Sequence, residues 1–103
     1  MEVNSTLREV LVSMRRNALA AAIRNINVHV FSGKGSSKQL AEYVAGRLNV
    51  EPYIIRLWLS GEGVPAHYVK EMLVILNEHS VWGKHQIFPS ERLAKAYMET
   101  PYA

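Results

Sequence analysis

The sequence predicts a mainly α-helical fold: a helix-turn-helix between Ser37 and Ser60, a long N-terminal helix before it, and one or two short strands. Three observations carry this. Apolar residues recur at three- and four-residue steps over most of the chain, the period of a half-buried helix. Asn49 and Pro52 separate two such runs by so few residues that the helices must meet through a tight turn. The chain has 103 residues, 49% hydrophobic and 20% charged, which is the size and composition of one folded domain.

The elements follow in order. Over residues 5–24, Leu7, Val10, Leu11, Met14 and Ala18 form an apolar stripe, with Arg8, Glu9, Ser13, Arg15 and Arg16 between them. Ser5 is the expected N-cap, and Asn25 the expected end. Ile26-Asn27-Val28-His29-Val30 alternates apolar and polar, which predicts a short strand. Phe31 to Ser36 reads as a loop. A second helix is expected from Ser37 to Leu48, with Leu40, Val44, Ala45 and Leu48 on one face. Pro52 opens a third, 52–60, stopped by Ser60-Gly61-Glu62-Gly63. Pro65 opens a fourth, about 66–78, with Val69, Met72, Leu73 and Leu76 inward. Val81-Trp82-Gly83 and His85-Gln86-Ile87-Phe88 read as short extended pieces. A last helix starts at Ser90 and runs to Pro101. No repeat or linker divides the chain, so one domain is expected over 1–103. Its core is 37–78, its N-terminal helix 5–25 and its C-terminal extension 80–103.

The stretch from Ala45 to Trp58 carries the argument. Two helices packed through a tight turn need a small residue at their closest approach. They also need a turn residue that tolerates a left-handed backbone, and apolar residues that lock the second helix down. Ala45 supplies the first and Asn49 the second, since Asn is the next best residue after Gly there. Val50 plugs the core beneath the turn, and Ile55 and Trp58 face inward.

With Trp58-Leu59-Ser60-Gly61-Glu62-Gly63-Val64-Pro65 and the downstream His85-Gln86-Ile87-Phe88-Pro89, this constellation resembles the Cro-like phage repressors, and more closely the small YdaS-type prophage antitoxins. The resemblance covers about Ser37 to Leu76. It departs from the family pattern in the long segment from Asn25 to Ser36, in Asn49 where Gly is commoner, and in the apolar helix 52–60. It implies a lambda-repressor-like domain acting as a sequence-specific double-stranded DNA-binding transcriptional regulator, a repressor of phage, prophage or antitoxin type. Base-facing side chains are then expected at Glu51, Pro52, Tyr53, Arg56 and Leu57. Arg56 suits guanine, to which a guanidinium donates two hydrogen bonds. Tyr53 could instead be partly buried, as aromatic residues often are.

Phosphate contacts are expected where the second helix begins, because free N–H groups and the helix dipole attract anions there. Lys34, Ser36, Ser37, Lys38 and Gln39 surround that point, and Arg15 and Arg16 extend the set, with Arg24 beyond them. An ordinary flexible loop and a solvated helix face are the competing readings of these residues. Gly33-Lys34-Gly35-Ser36 is not a P-loop, since no Gly stands five residues before Gly33.

The formal charge of +3 suits a nucleic-acid partner without requiring one. There is no cysteine, hence no disulfide or thiolate metal site, and a reducing cytoplasm is the expected compartment. Apolar stretches such as Ala18 to Ile23 are too short to span a bilayer, and the start of the chain lacks a basic stretch followed by an apolar one. No enzyme is expected: there is no aspartate, and the four histidines at 29, 67, 79 and 85 lack metal-ligand spacing. No cofactor is expected. The rival expectation is a protein-interaction module whose apolar helix 52–60 docks on a partner such as a toxin or host protein. Either reading admits a homodimer through the N-terminal helix or the stretch Trp82 to Tyr102.

Overall fold

A computed structural model describes residues 3–99, which form helices and connecting turns with no strand among them. The first helix, α1, spans Val3–Phe31, 29 residues, about 43 Å of helix. It therefore starts before Ser5 and passes through Asn25 without stopping, and the strand expected over 26–30 is helical. The reason lies in the stripe of buried Leu19, Ala22, Ile23 and Ile26, which half-buried Val30 continues at helical spacing. A strand would have turned Ile26, Val28 and Val30 to one side, but Val28 is 61% exposed. The helix ends where Ser32 and Gly33 take left-handed φ values of 54° and 79°. There the Gly33 N–H donates to the Asn27 carbonyl at 2.9 Å, and the Gly35 N–H donates to Asn27 Oδ1 at 2.8 Å.

Helix α2, Ser37–Leu48, opens with a capping box. Ser36 Oγ accepts from the Gln39 N–H at 3.1 Å, and Gln39 Oε1 accepts from the Ser36 N–H at 2.8 Å. Leu40, Ala41, Val44, Ala45 and Leu48 are its buried face. At its end Asn49 sits in the left-handed region, φ 59° and ψ 46°. The Val50 N–H donates back to the Ala45 carbonyl at 2.9 Å, closing the turn that such a residue permits. Helix α3, Pro52–Ser60, follows at once with Pro at its first turn and with Ile55 and Trp58 buried.

The loop after α3 is fixed to α1. Gly63 adopts φ +77°, and a Cβ there would lie 2.4 Å from the Arg15 carbonyl oxygen, so only glycine fits this approach. The fourth helical run is shorter than expected. It is a 3₁₀ turn, Ala66–Tyr68, leading into α4, Val69–Leu76. Asn77 stops it by donating to the Leu73 and Trp82 carbonyls and accepting from the Trp82 N–H.

Val81 to Gly83 is irregular, and the extended piece expected at 85–88 is instead a helical turn, α5, Lys84–Ile87. Gln86 Oε1 accepts from the Gly83 N–H at 2.7 Å, a local bond that favours the turn, and Ile87 is fully buried. Helix α6, Glu91–Glu99, is capped by Ser90, whose Oγ accepts from the Leu93 N–H at 3.1 Å. It packs along α1 and buries Ala94. The expected end at Pro101, and Tyr102, lie outside the described residues. One contiguous cluster of buried side chains joins α1 through α5.

Candidate nucleic-acid interface

Helix α3 has two unlike faces, and the backbone decides which residue falls on which. Pro52 fixes the start of the helix, and Ile55 and Trp58 follow at a three-residue step toward the core. Trp58 belongs to the buried cluster and packs against Tyr68, whose ring centroid lies 5.2 Å away. Ile54 and Leu59 are half-buried against the same core. Tyr53, Arg56 and Leu57 occupy the opposite side, Tyr53 at 55% and Leu57 at 57% exposure. Tyr53 is thus not the partly buried residue that its ring would suggest. Arg56 is exposed and makes no ion pair among the described residues. Glu51 is exposed at the N-cap position without a side-chain capping bond, and Pro52 is half-buried. The structure therefore brings Tyr53, Arg56 and Leu57 onto one solvent-facing strip, with Glu51 and Pro52 at its beginning.

The start of α2 is a second cluster. Lys34, Ser36, Ser37, Lys38 and Gln39 are all exposed. The side chains of Ser36 and Gln39 are spent on each other's backbone N–H groups. The N–H groups of Ser37 and Lys38, in the first turn, have no intrahelical acceptor and point outward with the helix dipole. Asn27 and Phe31 hold this end in place, the first through Gly35 and the second by an edge contact to Tyr43 with centroids 5.8 Å apart.

Arg15 and Arg16 are placed otherwise than expected. Arg15 lies 3.7 Å over the Phe88 ring and donates through Nε to the Pro89 carbonyl at 2.9 Å. Burial pushes its guanidinium down from the ordinary arginine value, while Glu62 and Glu91 act in the opposite direction. Arg16 donates to the Gly61 carbonyl at 3.2 Å. Both arginines serve the chain's own carbonyls and tie the end of α3 and the α5–α6 junction to α1. Arg24 is exposed.

Two features went unread in the sequence. Arg47 makes a two-pronged ion pair with Glu78 and donates to the Tyr43 hydroxyl at 3.0 Å, joining the end of α2 to the end of α4. The Arg47 guanidinium holds the Glu78 carboxyl below the usual glutamate range. A groove of about 510 Å³ also opens beside Leu57, between Trp58, Pro65, Phe88 and Arg15. Both depend on residues far apart in the chain, so no local signal announced them. Of the histidines, His29 and His79 stack with parallel rings 5.4 Å apart, and His67 contacts Tyr68. Among the described residues no three His, Cys, Asp or Glu side chains gather as a metal site, and no helix is long and apolar enough to cross a membrane.

No family model matches the chain, and neither a curated protein nor a solved structure matches it.

Proposed function

We propose that the chain is a sequence-specific double-stranded DNA-binding regulator built on a lambda-repressor-like helix-turn-helix, a repressor of the Cro-like or YdaS-type prophage kind. The observation that carries this reading is α3: Ile55 and Trp58 hold it down while Tyr53, Arg56 and Leu57 stand in solvent. A short helix presented in this way after a tight left-handed turn fits the width of a major groove. Arg56 donates to a guanine edge, Tyr53 and Leu57 meet thymine methyls or the backbone, and Glu51 accepts from a cytosine amine. The first-turn N–H groups of α2, with Lys34 and Lys38, receive a phosphate. Arg15 and Arg16 take no part. Such a regulator works in the cytoplasm.

Selection of binding sites from a random duplex pool tests the reading. An enriched motif containing guanine supports it, and a pool that stays random after several rounds overturns it. The groove beside exposed Leu57 favours a second reading, in which the apolar side of α3 receives a protein such as a toxin or host factor. Under that reading the chain is not retained on non-specific DNA even at low salt.

A further inference from the structure

His29 and His79 come from distant parts of the chain and meet on the surface. His29 lies near the end of α1, His79 in the turn after α4, and both are exposed. Their rings are parallel, with centroids 5.4 Å apart. No local spacing in the sequence announces this pair, because the fold alone brings it together.

The backbone beneath the two rings is fixed by other groups. Asn25, one helical turn before His29, accepts at Oδ1 from Ser80 Oγ at 3.0 Å, next to His79. Trp82 Nε1 donates to the same Ser80 Oγ at 3.1 Å, and the Asn77 side chain bonds both the N–H and the carbonyl of Trp82. The Ser80 N–H donates to the Leu76 carbonyl at 3.3 Å. These bonds tie the end of α1 to the turn after α4 without help from the imidazoles, so the spacing of the rings is set in advance of any ligand.

We propose that His29 and His79 together bind a divalent d-block cation of the zinc or nickel kind. Imidazole nitrogen suits such ions, whereas magnesium and calcium take oxygen ligands. The spacing fits one shared ion. A bound ion lies about 2.1 Å from a ring nitrogen and so about 3.2 Å from the ring centroid. Two such arms spanning 5.4 Å meet at about 115°, close to the tetrahedral angle of zinc sites. Turning an imidazole about its Cβ–Cγ bond leaves the centroid almost in place, because the centroid lies near the line of that bond. The two exposed rings can therefore each point a nitrogen at a common ion while the backbone stays still. The Glu78 carboxylate is taken up by Arg47, so water completes the coordination shell. The site uses no residue of α3 or of the start of α2, and it stands or falls separately from the DNA reading.

Thermal melts of the untagged chain with zinc or nickel, set beside melts with magnesium, test the proposal. An ion that binds the folded pair and not the separated histidines stabilises the fold by mass action. Zinc at about five times its dissociation constant is expected to raise the melting temperature by about 4–8 °C. A chelator should reverse the rise, and calorimetric titration should show one ion per chain. His29→Ala and His79→Ala should each raise the zinc dissociation constant by at least ~tenfold, with metal-free melts unchanged because both residues are exposed. The double variant His67→Ala, His85→Ala should bind zinc as the wild type does. A melt unmoved by zinc and nickel would overturn the proposal, and so would a rise that persists in His29→Ala or an equal rise with magnesium.

Discussion

The two faces of α3 are chemically close and physically opposed. Ile55, Trp58 and Leu59 turn inward, while Tyr53 and Leu57 turn outward beside Arg56. Leu57 and Leu59 are the same residue two positions apart, one 57% exposed and the other packed on the core. Hydropathy does not separate them. Position relative to Pro52 does, because the helix turns by a fixed angle per residue. An apolar residue in such a helix is therefore a packing residue or a contact residue according to register, and substitutions can tell the two apart.

The largest effect should come from the inner face. Trp58→Ala is expected to cost about 3–5 kcal/mol of folding stability through transfer and cavity terms. Urea denaturation would show this as a lowered midpoint, and any lost binding should follow the unfolded fraction. Next comes the contact that pins the end of α3 to α1. Gly63→Ala puts a side chain on a left-handed backbone, which costs about 1–3 kcal/mol, and drives its Cβ against the Arg15 carbonyl, 2.4 Å away. Thermal melting should fall clearly, and an unchanged melt would mean that the loop is not seated on α1.

The outer face should behave in the reverse way. Arg56→Ala is expected to weaken specific DNA binding by about 1–3 kcal/mol, while stability stays within about 0.5 kcal/mol of wild type. Equal binding and equal sequence preference would dissolve the contrast between the faces. Lys38→Ala should weaken binding to all sequences alike and lower the salt slope by about one. An unchanged slope would remove Lys38 from the phosphate contacts.

The smallest effect belongs to Glu78. Its carboxyl is held below the usual range by hydrogen bonds from Arg47, so the ionised form is favoured in the folded chain. That contribution is present above the unfolded glutamate value of about 4.3 and is lost as pH falls through the lowered folded value. Glu78→Gln should abolish this part of the acid response, which parallel melts of the two proteins down to low pH would reveal.

Two asparagines explain what the sequence made legible. Asn49 was readable as a helix stop because asparagine tolerates the left-handed backbone it adopts there and Pro52, three residues on, suits the first turn of a new helix. Asn25 carries the same local preference, yet α1 runs on to Phe31. Ile26 after it continues the buried stripe, and the Asn25 side chain accepts from Ser80 Oγ at 3.0 Å, a partner 55 residues away. A stop signal is decided by what the next turn can bury, and short stretches such as 26–30 fit both the strand and the helix period. The outward side of α3 was legible for the same reason as Asn49, since it follows from local register. The places of Arg15 and Arg16 were not, because their acceptors at Pro89 and Gly61 are set by tertiary packing.

The most direct test of the account is the binding of a fluorescent duplex, followed by anisotropy across a salt series for the wild-type chain and for Arg56→Ala. The account predicts tight binding at low salt that falls linearly on a log–log plot, and for the variant a loss of preference for the selected site over random duplex. Absence of binding by the wild-type chain at the lowest salt, or identical curves for the two proteins on the selected site, would contradict it.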